Sequence, residues 1–130
     1  QMVGFSDASS FGMAAAVYLR VESTHGIAVH LLRSKTRVSP LKAWTINRLE
    51  LGAACLLAKL MGIVLPLSPS HPVSDVICLT DSSTTLAWIR TPPYKLQTFI
   101  ANRVTQLHAD CPEAVWRHVA GELNSADPAS

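Results

Sequence analysis

Apolar and polar positions alternate on two different periods along this chain, and the change of period marks out its elements. Met2–Ser6 is a short apolar segment ending at Asp7. Gly12–Arg20 is rich in small and β-prone residues, with Val17, Tyr18 and Leu19 near its end. Ile27–Lys35 returns with Ile27, Val29, Leu31 and Leu32, after a polar, turn-like Glu22–Gly26. Three strands separated by two turns predict an antiparallel meander. A basic loop, Thr36–Thr45, follows with Pro40 inside it. The period then lengthens. Leu49, Ala53, Leu56, Leu57, Leu60 and Val64 recur at three- and four-residue steps, which predicts a helix with one buried face. Pro66 and Pro69 stop it.

The second half repeats strands and helices in alternation. Val73–Leu79 is a compact apolar run ending at Thr80-Asp81 and reads as a buried strand. Ser82–Arg90 follows as a short helix, broken by Pro92-Pro93. Leu96–Leu107 is a second helix with Phe99, Ile100, Val104 and Leu107 on one face, and Ala114–Val119 is a last strand. Asn124–Ser130 reads as the opening turn of a further helix, cut off. A meander followed by alternating helices and strands predicts an α/β fold, with a mixed sheet and helices packed on it.

Composition narrows the class. The 130 residues suit a single domain, 1–130, and 48% hydrophobic against 15% charged residues supplies a core and excludes disorder. The most apolar stretch, Leu49–Leu67, carries Glu50 and Lys59 and reads as a buried amphipathic helix, with no uninterrupted run of the roughly 18 residues a membrane span needs. The chain opens at Gln1 without a basic segment leading into an apolar one, so no signal peptide is seen. Both ends read as cut, which predicts a piece of a longer polypeptide. Cys55, Cys78 and Cys111 are odd in number and lack the close spacing of a zinc site, so a reducing compartment is the simpler expectation. Net charge is only +2, but five of the eleven basic residues, Arg33, Lys35, Arg37, Lys42 and Arg48, fall close together. Such a patch can meet phosphates or be an ordinary solvated loop.

The acids carry the chemistry. Of nine acidic residues, four stand in similar places. Asp7 ends the first strand, Glu50 lies near the start of the long helix, Asp81 ends the fourth strand and Asp127 opens the last helix. A carboxylate just past a buried strand points into the crevice at the strand's carboxyl end, where open α/β sheets bind ligands. Two acids at neighbouring strand ends repel unless a cation lies between them. Four carboxylates suffice for two hard divalent ions about 3.5–4 Å apart, the arrangement of two-metal phosphodiester chemistry. Taken singly, each acid is equally an ordinary turn, cap or surface residue.

These blocks resemble the ribonuclease H-like superfamily. Phe5-Ser6-Asp7-Ala8-Ser9, Leu49-Glu50-Leu51-Gly52-Ala53-Ala54, Leu79-Thr80-Asp81-Ser82 and Asn124-Ser125-Ala126-Asp127 are similar, in order, to the family's four acidic blocks. Leu32–Lys42, Thr45–Leu51, Phe99–Val104 and Trp116–Gly121 are similar to BEL/Pao-type retrotransposon polyproteins. The resemblance covers nearly the whole chain. It implies a five-stranded mixed sheet ordered 3-2-1-4-5 with helices on both faces, and strands one and four adjacent and parallel. It implies a ribonuclease H that cuts the RNA strand of RNA–DNA hybrids during reverse transcription. By the same resemblance Asp7, Glu50, Asp81 and Asp127 are catalytic residues and ligands of two Mg²⁺ ions, with Mn²⁺ an alternative. Asp7 and Asp81 are the central ligands.

The implied partners are an RNA–DNA hybrid, reverse transcriptase and other domains of one polyprotein. The isolated domain is expected to be a monomer, intracellular, in cytoplasm, nucleus or a retroelement particle. Ser9, Lys35, Arg37, Ser82 and Asn102 are candidate substrate contacts, because the family reads hybrids by their minor groove and 2′-hydroxyls. The chain departs from the family at the loop His that precedes the last Asp: Glu122 stands there, and His118, four residues earlier, reads as structural. That departure keeps open a catalytically inactive, nucleic-acid-binding member of the same fold. An integrase-like enzyme is disfavoured by the Glu on the first helix. An aspartic protease is excluded because no Gly follows Asp81-Ser82.

Overall fold

The computed structural model describes residues 1–38, 44–67 and 75–120. Its elements run β1 (Met2–Ser9), β2 (Gly12–Ser23), β3 (Gly26–Val38), α1 (Ile46–Val64), β4 (Val76–Thr80), α2 (Ser83–Arg90), α3 (Thr98–Asp110) and β5 (Val115–His118). The five strands form one sheet in the order β3-β2-β1-β4-β5. β1–β2 and β2–β3 are antiparallel; β1–β4 and β4–β5 are parallel. The expected sheet and its order are present.

α1 is the keystone of the core. Thr45 caps it, its hydroxyl accepting the Arg48 N–H at 3.3 Å. Its apolar face presses Leu57 and Met61, both fully buried, onto Met2, Ala15, Val17 and Cys78 of the sheet. The fit is close: a Cβ on Gly4 of β1 would stand 2.6 Å from Leu57 Cδ1. Only glycine there lets helix and strand approach this far. Gly62 does the same on the other side of α1, lying against the Asp110 carbonyl of α3. The helix is long and apolar enough to cross a membrane by composition alone, yet it packs here as the central core helix.

α2 and α3 join the same face, through Leu86, Ile89 and Leu107 in the main cluster and Ile100 and Val104 against Leu51. All three described helices therefore lie on one side of the sheet. The helix expected to open at 124–130 lies outside the described residues. On the other side, Phe5 and Tyr18 meet edge to face with ring centroids 5.6 Å apart.

Several boundaries move. β1 runs past Asp7 to Ser9, and β2 runs past Arg20 to Ser23, taking Glu22 out of the expected turn, because each keeps its ladder partners. Thr36, Arg37 and Val38, expected in the basic loop, continue β3, because β2 offers Ala14, Met13 and Gly12 as ladder partners for them. The Pro92-Pro93 break forms a tight 3-10 turn at Pro93–Lys95, and α3 starts at Thr98 and runs through Asp110. The rest of the expected loop, 39–43, lies outside the described residues.

Candidate metal centre

Parallel pairing of β1 with β4 brings Ser6 opposite Thr80. The next residues, Asp7, still paired with Ala14 of β2, and Asp81, just past β4, therefore stand side by side. A cross-strand contact, Ser6 Oγ to the Leu79 carbonyl at 3.4 Å, ties the two ends together. Beyond Asp81 the chain turns straight into α2. The Ser82 N–H donates to Thr80 Oγ1 at 3.1 Å, and Ser82 Oγ accepts the Thr85 N–H at 3.1 Å as the helix cap. Asp81 thus stands at the start of a helix, where the backbone dipoles favour negative charge.

Glu50 comes from α1, second turn, on the face turned to the sheet, and is buried. Asp7 is buried too, and Asp81 is half-buried. One carboxylate oxygen from each of Asp7, Glu50 and Asp81 lies within 4.8 Å of the others. This is the only such group of three His, Cys, Asp or Glu side chains among the described residues. Three carboxylates gathered in this way make a donor set that a divalent cation can fill. An all-oxygen donor set of this kind suits Mg²⁺, Mn²⁺ or Ca²⁺ better than zinc or copper. Asp127, the fourth expected ligand, and Glu122 lie outside the described residues, as does Lys42.

The neighbouring strand supports Asp81. His118, at the end of β5, places Nε2 3.1 Å from the Asp81 carbonyl oxygen, and the Val119 N–H donates to the Thr80 carbonyl at 2.9 Å. His118 therefore holds the main chain beneath the acid. Sequence reading left this contact unseen, since it depends on the β4–β5 register.

The expected substrate contacts fall in three places. Ser9 ends β1 two residues past Asp7, and its hydroxyl accepts the Phe11 N–H at 3.3 Å. Ser82 is the helix cap beside Asp81. Arg37 and Asn102 line one groove of about 370 Å³ between β3, α1 and α3, together with Trp44, Lys59 and Arg103. Lys35 lines its continuation along α1, with Arg33 and Lys59. Lys59 and Arg103 were not expected here; they sit on two different helices, and only the packing of α1 against α3 brings them to the same groove. At the groove's head, Arg103 lies 3.6 Å from the Phe99 ring centroid and 5.4 Å from that of Trp44, while Arg48 covers Phe99 at 4.1 Å. Trp44 and Phe99 meet edge to face.

The cysteines take no part. Burial pushes the Cys55 thiol up to about 11, against the pull of Arg103. Burial, aided by Glu113, raises Cys111 to about 11, and burial raises Cys78 further still. All three stay protonated at neutral pH, so none is a ready nucleophile or metal ligand. At pH 8 the native protein is expected to resist Ellman's reagent, with all three thiols reacting once guanidinium unfolds it. Rapid labelling of the native state would contradict this burial.

Comparison with known structures places the fold. The crystal structure of LC11-RNase H1 in complex with RNA/DNA hybrid matches with a TM-score of 0.59 at 14% identity, over 98% of this chain and 90% of that one. The N-terminal RNase H domain of rv2228c from Mycobacterium tuberculosis, solved as a maltose-binding-protein fusion, matches with a TM-score of 0.66 at 14% identity, over 98% and 88%. The foamy viral protease-reverse transcriptase in complex with RNA/DNA hybrid matches with a TM-score of 0.57 at 11% identity, over 94% of this chain but 17% of that one. No curated protein sequence matches. At these identities the likeness establishes a ribonuclease H fold. The family model for the Pao retrotransposon-like RNaseH-like domain matches residues 1–82, more than half of the chain and inclusive of Asp7, Glu50 and Asp81. By its sequence, its strand order and its three clustered acids, this chain belongs to the Pao retrotransposon-like RNaseH-like domains.

Proposed function

We propose that the chain is a metal-dependent endonuclease that hydrolyses the RNA strand of RNA–DNA hybrids during retroelement reverse transcription. The observation that carries this reading is the convergence of Asp7, Glu50 and Asp81 at one end of a ribonuclease H sheet. Two of the solved structures that share the fold hold an RNA/DNA hybrid. The larger chain of one of them, a protease-reverse transcriptase, supports a setting inside a polyprotein, with reverse transcriptase as neighbour.

The roles follow from placement. Asp7 and Asp81, side by side on adjacent strands, would hold the divalent cations, Mg²⁺ or Mn²⁺. Glu50 would support the site from α1; Asp127, outside the described residues, is assigned as the fourth ligand by the family resemblance alone. Such ions, when bound, supply the positive charge that an in-line phosphodiester displacement requires. His118 and the Ser82 cap keep the Asp81 main chain from moving as charge develops. Ser9 and Ser82 stand beside the acids, where a strand's 2′-hydroxyls and phosphates would pass, and Lys35, Arg37 and Asn102 extend the contact surface.

The test is cleavage of a strand-labelled hybrid in Mg²⁺ or Mn²⁺ beside an Asp81→Asn variant. Loss of the RNA strand alone, abolished by Asp81→Asn, is the expected result. Hybrid binding without any cleavage in either ion would replace this reading with an inactive binding module.

A further inference from the structure

We infer that the groove between β3, α1 and α3 is a separate track for one single-stranded polynucleotide. This goes beyond hybrid cleavage and rests on it only for where the strand comes from.

β3 is an edge strand, and its second half carries a cation at every second residue: Arg33, Lys35 and Arg37. They stand opposite Val17, Ala15 and Met13 of β2. Opposed residues of an antiparallel pair share a face, and those three β2 residues pack in the α1-side clusters. All three cations therefore project on the α1 side of the sheet, exposed, past the helix. Residues two apart on a strand are roughly 6.6 Å apart, close to the separation of successive phosphates along an extended polynucleotide. Lys59 of α1 faces this row, and Arg103 of α3 stands at the groove's head.

The groove is thus walled by five cations. The acid among its lining residues, Asp110, already accepts a 2.9 Å hydrogen bond from Gln106. Its floor is apolar: Leu56, Leu60 and Ile63, the last half exposed. A duplex keeps its bases inside and would leave that floor unfilled. A single strand can lay base faces on it and on Trp44 while its phosphates meet the cations. The groove begins near the acid end, since Thr36 lies level with Ala14 and Ala14 with Asp7 across the sheet, and it runs away from that end along α1.

The experiment is fluorescence anisotropy of a labelled oligothymidylate of about twelve nucleotides with the 130-residue chain in EDTA, across a salt series. Three to five phosphate contacts predict a log–log salt slope of about −2 to −3.5. The double variant Arg33→Gln, Lys59→Gln is expected to bind about tenfold more weakly, with the slope shallower by about 1.4, while binding of a short blunt hybrid is unchanged. Unchanged oligothymidylate affinity and slope in the variant would overturn the track. So would wild-type binding to phosphatidylserine vesicles as tight as to the oligonucleotide, which would mark a membrane surface instead. Because EDTA removes divalent ions, the outcome does not depend on cleavage. An inactive nuclease with a variant-sensitive oligonucleotide site would refute the catalytic reading and leave the track standing.

Discussion

Asp7→Asn is expected to lower hybrid cleavage by on the order of 10³-fold and to leave the fold intact. Asn keeps the shape of the side chain and one neutral oxygen, so β1 and its pairing with β4 are undisturbed. What goes is a charge at the centre of a cluster whose oxygens lie within 4.8 Å of one another. Cation-mediated charge stabilisation contributes several kcal/mol to phosphoryl transfer, and about 4 kcal/mol corresponds to 10³-fold in rate. Stability moves the opposite way. Like charges at this separation repel by about 1–3 kcal/mol for effective dielectrics between water and a protein surface. Without divalent ions the variant should therefore melt no lower than the wild type. Adding millimolar Mg²⁺ should raise the wild-type midpoint, since an ion that binds only the folded state stabilises it, and should leave the variant's nearly unmoved. Calorimetry with and without Mg²⁺, beside the cleavage assay, reads both effects. A variant that keeps its Mg²⁺-dependent stabilisation and its activity would remove Asp7 from the centre.

Leu57→Ala should be the most damaging substitution for stability. Leu57 is fully buried at the middle of α1, against the Cα of Gly4. Emptying such a site costs about 2–5 kcal/mol, because the glycine-tight contact leaves little room for the helix to settle inward. Against a total stability of roughly 5–15 kcal/mol, that is a large share. The melting midpoint should fall by about 10–15 °C. Leu57 also lies two helical turns below Glu50 on the same face, so a tilt of α1 displaces that carboxylate. The Mg²⁺-induced rise in midpoint should shrink in parallel. Lys59→Ala, exposed on the next turn, should shift the midpoint little. A Leu57→Ala midpoint within a few degrees of wild type would refute the keystone role of α1.

Much of this architecture is legible before any coordinates. The strand end at Asp81 can be read because a carboxylate abruptly closes an apolar run; β1, expected to end at Asp7, runs on to Ser9 because β2 continues to pair with it. α1 can be read because leucines recur at helical spacing until prolines stop them. The extension of β3 is harder: Ser34-Lys35-Thr36-Arg37 has no apolar member, and an exposed edge strand needs none. Its strand character comes from the small residues of β2 that it pairs with. The start of α3 was blurred by Leu96, which looks like part of the apolar face but ends the tight turn after Pro92. Contacts made by register or by helix packing leave no local trace. The contact of His118 with Asp81, and the placing of Arg37, Lys59 and Arg103 around one groove, are of this kind.

The parallel pairing of β1 with β4 has a consequence for how the chain matures. The ladder partners are distant: Ser6 touches Leu79, 73 positions further along the chain. Contacts of such long range form late, after local hairpins such as β2–β3 and the first turns of α1. During synthesis the meander and helix emerge first, with Asp7 and Glu50 in place but Asp81 still unmade. The acid cluster is thus completed only after the meander and α1, once β4 has been made. A growing chain that stops anywhere before Asp81 lacks the third carboxylate of the cluster, however well its first three strands have folded.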